Sequence, residues 1–264
     1  MKYYRKPHSY KRKKPIYHSR FFRLGLLIFI LFSSVFYLLF FFEFFQVEKI
    51  IITGEDRVPT EEIKLAVENR LENKILFLKT KSIFLINLKE TKKDILKQFS
   101  QIAQIEIKRV FPDALGVIIT ERLESIVYCL QEKCFLCDNE GIIFEETAGE
   151  ANLLRVVDRE KTEIPSLGDK VIEKENLSQM VSEIKPKIES ELDIPVKEFI
   201  IFSEDKLIIL TEEGWEIYLD LNSDIAWQMI KLRADLEEKI PPEKRKDLEY
   251  IELRFGNFAP FKYK

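Results

Sequence analysis

The longest apolar run in the chain extends from Leu24 to Phe42, 19 residues without a charge, in which only Gly25, Ser33 and Ser34 are not strongly apolar. As an α-helix it would span about 28 Å, close to the hydrocarbon thickness of a bilayer. A soluble core helix would carry a polar stripe, and this run has none. A cleaved signal peptide would end in a small-x-small site after a shorter run, whereas Phe41, Phe42, Glu43, Phe44 and Phe45 follow here. The pattern therefore predicts an uncleaved signal anchor at 23–45. Past it the periodicity changes. Val47 to Thr53 reads as a strand stopped by Gly54. Pro59-Thr60-Glu61-Glu62 opens a helix with Thr60 as N-cap and Ile63, Val67 and Leu71 on one stripe. A short helix over Lys81 to Leu88 and another over Thr91 to Ser100 follow, the latter turning Ile95, Leu96 and Phe99 inward. Two strands, around Ile105 and Ile107 and around Leu115, Val117 and Ile119, are joined by the turn Phe111-Pro112-Asp113-Ala114.

From Arg122 onward the pattern is mostly β. Ile126 to Leu130 and Cys134 to Cys137 read as a hairpin, Asp138 to Gly141 as a turn, and Ile142 to Phe144 and Leu153 to Val157 as strands. Leu177, Val181, Ile184 and Ile188 predict a helix that Pro186 must kink or shorten. Strands follow over Val196 to Phe202, Lys206 to Thr211 and Trp215 to Leu219. A helix capped by Ser223 then buries Ile225, Met229, Leu232, Leu236 and Ile240. The chain closes with the alternating strand Tyr250 to Phe255 and a tail. The fold class is α+β: one N-terminal transmembrane helix, a small β-α-α-β-β unit, and a mostly antiparallel β domain with flanking helices.

Charge changes the picture next. The chain of 264 residues carries 42 Lys+Arg, 45 Asp+Glu and a net charge of -3. Nine of the positives lie within residues 1–23 and no acid precedes Glu43, so what remains is 33 positives against 45 acids, a balance of -12. This asymmetry predicts a cytoplasmic N-terminus with the larger part across the membrane. An acidic folded part argues against a nucleic-acid binder. With Gly 8 and Cys 3, collagen-like and disulfide-dense classes are excluded too.

Candidate chemistry is sparse. Both histidines, His8 and His18, fall in the basic tail, so the outer part lacks Ser-His-Asp, Cys-His and most zinc-hydrolase constellations. Acid pairs such as Glu145-Glu146 and Glu212-Glu213 read as solvated faces. Cys134 and Cys137 make a CxxC spacing, but on a strand these positions point to opposite faces and cannot bridge. Even with Cys129 only three thiols exist, one short of a zinc site. If the hairpin turns at Gln131-Glu132, Cys129 and Cys134 sit opposite each other. A disulfide is then open to them in an oxidising compartment, and buried free thiols are the alternative.

Taken in order, several motifs resemble the FtsQ/DivIB family of bacterial cell-division proteins. Val47-Glu48-Lys49-Ile50-Ile51-Ile52-Thr53-Gly54 is similar to the family's first strand after the membrane. Arg109-Val110-Phe111-Pro112-Asp113-Ala114-Leu115-Gly116-Val117 resembles its R-x-[WF]-P-x-x-L-x-[IV] signature, followed by Glu121-Arg122. Asp138-Asn139-Glu140-Gly141-Ile142-Ile143-Phe144 resembles its D-x-x-G turn, and Glu252-Leu253-Arg254-Phe255 its D-L-R-[YF] strand. The proline usually found after E-R is absent, and the acid before L-R is Glu. The resemblance implies a cytoplasmic tail at 1–22, the anchor at 23–45, a POTRA domain at 46–121 and an FtsQ-type β domain at 122–264. It implies no catalysis and no cofactor, but a divisome scaffold in the inner membrane at the septum. Such a scaffold would bind FtsB and FtsL and help control septal peptidoglycan synthesis, with other divisome proteins on the POTRA domain. By the same resemblance Arg254, Phe255, Gly256 and Phe258 are partner contacts, on a last strand expected at a sheet edge. The alternative for Phe255 and Phe258 is that they close the core. The alternatives for the whole chain are a POTRA-type secretion or assembly module and a membrane-anchored thiol oxidoreductase.

Overall fold

The apolar run forms helix α1 (Arg20–Phe41) in a computed structural model that describes residues 20–75, 77–149 and 153–264. The tail residues with His8 and His18 lie outside the described residues. None of α1 is buried, and it is long and apolar enough to cross a membrane. A helix end leaves its last carbonyls without intrahelical donors. Here they are met by side chains from further along the chain. The Ser82 hydroxyl donates to the Leu39 carbonyl at 2.9 Å, and the Gln46 amide (3.1 Å) and the Thr80 hydroxyl both donate to that of Phe40.

After α1 come β1 (Lys49–Thr53), α2 (Thr60–Leu71), the hairpin of β2 (Asn73–Ile75) and β3 (Leu78–Thr80), α3 (Leu88–Gln98), β4 (Ile102–Val110) and β5 (Ala114–Glu121). The sheet order is β1-β5-β4, with β1 parallel to β5 and Ile50 opposite Leu115. Ile63, Val67, Leu71, Leu115, Val117 and Ile119 are buried on the predicted stripes, whereas Ile118 points outward. The hairpin β2–β3 was not legible in the pattern. The helix expected over Lys81 to Leu88 is absent. Its carbonyls are used elsewhere: Arg109 donates to the Ile83 and Ile86 carbonyls at 2.7 and 2.8 Å, while Val47 N–H bonds Lys81 and Ile83 N–H bonds Phe45. Ile83 and Ile86 are buried all the same.

Gly54 ends β1 with φ +89°, and a Cβ there would stand 2.2 Å from the Ile119 carbonyl oxygen. The loop after it is gathered by one carboxylate. Glu121 accepts the N–H groups of Asp56, Arg57 and Val58 at 2.9–3.0 Å. Burial pushes the Glu121 carboxyl up, but these donors and the Arg57 charge more than reverse this and hold it below the usual carboxylate range.

By internal contacts the chain divides into two compact units. One comprises the residues up to Thr53 with Glu61–Lys92 and Glu106–Ile118, the other Gly54–Thr60, Lys93–Ile105 and Ile119–Lys264. The second contains β6 (Ile126–Leu130), β7 (Lys133–Cys137), β8 (Ile143–Thr147), β9 (Leu154–Asp158), α4 (Lys174–Ser178), β10 (Val196–Ser203), β11 (Lys206–Thr211), β12 (Glu216–Leu219), α5 (Ile225–Glu238), β13 (Leu248–Glu252) and β14 (Phe261–Tyr263). Nine of these strands form one sheet in the order β14-β13-β12-β11-β10-β9-β6-β7-β8. It is mostly antiparallel, with parallel junctions at β6–β9, β9–β10 and β12–β13. One face carries Tyr128, Phe199, Ile209, Ile217 and Ile251 into a core shared with Met229, Leu232 and Leu236 of α5.

Two local expectations shift. The segment after α4 continues as π-helical turns over Gln179–Ile184 and Lys187–Glu191 on either side of Pro186. The wider turns bury Met180 with Leu177, Ile184 and Ile188, and leave Val181 only partly covered. Helix α5 is capped by Asp224, whose carboxylate accepts from Trp227 N–H at 3.1 Å, while Ser223 donates instead to Asp220. The Asp138 turn is tied by its own carboxylate, which accepts from Glu140 and Ile142 N–H and pairs with Arg122 at 2.5 Å. Gly141 is required there, since a Cβ would meet the Ile172 carbonyl oxygen at 1.9 Å. That close approach also covers the β8 edge: Ile143 exchanges backbone hydrogen bonds with Asp169 and Gly168, and the Phe144 carbonyl accepts the Ser100 hydroxyl.

Because the folded Glu121 carboxyl titrates below its unfolded value, its contribution to stability is full above the ordinary carboxylate range and is lost as pH falls through the folded value. Glu121→Gln should therefore lower the unfolding free energy by about 1 kcal/mol at neutral pH, with the gap from the parent closing below about pH 4. Urea unfolding across that range measures it, and a gap independent of pH would contradict this role for the carboxylate.

Candidate partner-binding loop

The strand expected at the sheet edge is not the outermost one. β13 is paired on both sides, in parallel with β12 and antiparallel with β14, and β14 is the edge. The correction has a simple cause. Gly256 and Pro260 turn the chain back, and Phe261-Lys262-Tyr263 is too short for its alternation to stand out. Arg254, Phe255, Gly256 and Phe258 all fall in the loop between the two strands. Glu252 N–H bonds the Pro260 carbonyl at 2.8 Å and Leu253 N–H bonds that of Tyr218 at 2.9 Å, which closes the base. Leu253 and Ala259 drop into the core from either end. Between them Phe255 is 53% and Phe258 65% exposed, so neither closes the core.

The other two predicted positions shape the loop. Arg254 grips the Glu252 carboxylate through Nε (3.0 Å) and Nη2 (2.9 Å), lies 3.8 Å from Asp205, and stands 5.3 Å from the Phe255 ring centre. The hydrogen bonds to Glu252 raise its pKa despite partial burial. Gly256 takes φ +40°. The residue that sequence reasoning missed is Lys231. From the buried side of α5 its ammonium donates to the carbonyls of Leu253 (2.5 Å), Phe255 (3.2 Å) and Gly256 (3.2 Å). Burial pulls its pKa down, opposed by Glu252 and Asp235. Nothing in the spacing of α5 marks a lysine between Met229 and Leu232 as internal. On the outer sheet face Tyr218 stacks on Tyr250 at 5.0 Å, with Lys206 3.6 Å above the Tyr218 ring.

The cysteines divide. The β6–β7 hairpin pairs Cys129 with Cys134, and the two are joined as a disulfide. Cys137 is a buried free thiol whose pKa burial and Asp138 push up to about 12. A redox thiol needs the opposite shift. Among the described residues no group of three or more His, Cys, Asp or Glu is arranged to hold a metal ion.

Residues 45–122 match the family model described as "POTRA domain, FtsQ-type". These residues are an FtsQ-type POTRA domain. No curated protein matches the chain. A solved structure of POTRA1-2 of the periplasmic domain of Omp85 from Anabaena aligns at 13% sequence identity and a TM-score of 0.21, over 51% of this chain. The chain spans 62% of that structure's length. FtsQ-type POTRA domains belong to a non-catalytic scaffold family, and POTRA domains mediate protein–protein interactions. Within this one, Arg109 secures the 83–86 segment and Glu121 the loop before α2, so two residues of the signature strands act as ties between irregular segments.

Two outcomes follow. Alkylation of the denatured, unreduced chain should modify Cys137 alone, and all three cysteines after reduction; three reactive thiols before reduction would count against the disulfide. Lys231→Met should speed hydrogen exchange in residues 253–258 roughly tenfold, equivalent to about 1.4 kcal/mol, the low end for a charge-assisted hydrogen bond. Amides at the far end of α5 should be unaffected, and equal acceleration along α5 would mean that Lys231 supports the helix rather than the loop.

Proposed function

We propose that the chain is a non-catalytic, membrane-anchored scaffold of the bacterial division machinery. A short cytoplasmic tail (1–22) and anchor (23–45) lead to an extracytoplasmic POTRA domain (46–121) and a β domain (122–264). The reading is carried by the FtsQ-type POTRA match at residues 45–122, placed directly after an apolar helix of membrane-spanning length. The nine positive charges before that helix support a cytoplasmic N-terminus, and the Cys129–Cys134 disulfide suits the oxidising side of the membrane. In this reading the protein sits in the inner membrane at the septum, binds FtsB- and FtsL-like partners, and helps control septal peptidoglycan synthesis. Other divisome proteins dock on the POTRA domain.

The partner site is the exposed pair Phe255 and Phe258 next to the open side of β14. An extended partner segment adds main-chain hydrogen bonds to the edge strand, and its apolar side chains cover the two rings. Arg254 and Gly256 set the loop that presents them.

A fluorescent fusion should concentrate at division sites, and depletion should give unseptated filaments. Diffuse envelope fluorescence with normal septation would remove the division reading. Phe255→Glu with Phe258→Glu should reduce capture of an FtsB-like partner at least roughly a hundredfold, equivalent to about 2.7 kcal/mol for two interface aromatics. Unfolding of the variant should be unchanged because both rings are exposed, and undiminished capture would reject the site.

A further inference from the structure

Beyond α1 a chain of aromatic rings continues onto the POTRA domain. Within the last turns of the helix, Phe36 and Phe40 are 4.7 Å apart and Tyr37 and Phe41 5.9 Å apart. Outside it, Phe44 meets Phe45 at 5.2 Å, Phe45 meets Phe84 at 5.3 Å, and Phe84 meets Phe111 at 5.6 Å. Phe45 is half-buried. Phe44, Phe84 and Phe111 remain 57%, 38% and 58% exposed, and Val110 beside Phe111 is exposed as well. Contiguous apolar surface of this kind on a folded module marks an interaction face.

Hydrogen bonds fix the level of this face relative to α1. Ser82 bonds the Leu39 carbonyl and Ile83 N–H bonds Phe45, so the segment carrying Phe84 lies beside the last turn of the helix. Twenty-two residues make a helix about 33 Å long, which matches the hydrocarbon core of a bilayer. If α1 spans that core, the ring chain begins at its far boundary, where aromatic side chains collect because one side is apolar and the other wet. Lys49 beside the patch is paired with Asp113 at 3.4 Å, and the rings themselves are uncharged, so apolar contact would hold the face in place.

We propose that Phe44, Phe84 and Phe111 form a lipid-facing patch that seats this side of the POTRA domain in the interfacial layer of the bilayer. The patch rests on the reading of α1 as a membrane anchor and extends that anchor sideways. With a second contact away from its axis, α1 no longer acts as a free swivel.

The test uses the full chain in phosphatidylcholine vesicles carrying bromine on the lipid tails, either near the headgroup or near the bilayer centre. Parent protein, with Trp215 and Trp227, supplies the background emission. The emission added by Phe111→Trp should be lost in shallow-brominated lipid and retained in centre-brominated lipid, and Phe44→Trp should behave alike. Phe32→Trp, in the middle of α1, should show the opposite dependence. If Phe32→Trp is quenched at the centre while both interfacial tryptophans keep their emission, the patch is wrong and the anchor stands. If Phe32→Trp is quenched by neither lipid, the anchor reading and the patch fail together.

Discussion

A helix end must find hydrogen-bond donors for its last carbonyls, and the segments packed against the end of α1 are arranged around that requirement. The donors are the side chains of Gln46, Thr80 and Ser82. To deliver them, residues 80–82 pass beside the helix exit, with Ser82 bridged to Gln46, and a turn closed by Leu85 N–H on the Ser82 carbonyl follows instead of a helix. Arg109 then takes up the carbonyls this leaves open at Ile83 and Ile86.

The same solution recurs in the second unit. Arg122 collects the Ser100 carbonyl and the Asp138 carboxylate, and Lys231 collects three carbonyls of the loop after β13. Each of these long cations stands where the backbone is irregular and regular secondary structure cannot satisfy it. A buried ammonium is expensive by itself, but one surrounded by carbonyl dipoles recovers much of what it loses from water. Irregular segments that would otherwise be soft are thereby given one conformation. That is a useful property for a protein read as a binding scaffold, since a preorganised contact loses less entropy on association.

What the sequence revealed and concealed follows from where each feature gets its hydrogen bonds. Helices α2 and α5 satisfy themselves within the element, and strands β1, β4, β5 and β10 to β12 in regular ladders, so the periodicity of their apolar residues located them. The 81–88 segment was expected to be a short helix, but its hydrogen-bond partners are Arg109 and residues 45–47, outside the segment. The π-helical turns around Pro186 changed which of Met180 and Val181 faces inward, because a wider turn alters the spacing on which the prediction rests. The cysteine hairpin was legible because a two-residue turn fixes its register. At the candidate site, Phe255 and Phe258 were singled out through resemblance, and the structure shows both exposed. Lys231 was invisible, since a lysine on a helix usually reads as a solvated position. The final strand β14, three residues long, has too few positions for alternation to register.

The two ends of the nine-stranded sheet differ. At β8 the outer hydrogen-bonding groups of Ile143 are occupied by the 168–169 loop and the Phe144 carbonyl by Ser100, whereas β14 has no strand on its far side. A sheet open at both ends can grow copy upon copy into a fibre. Where the first residues of β8 are already bonded, an added strand would have to displace the 168–169 loop, whereas at β14 it would displace no strand, so the two ends of one sheet differ in what strand addition costs.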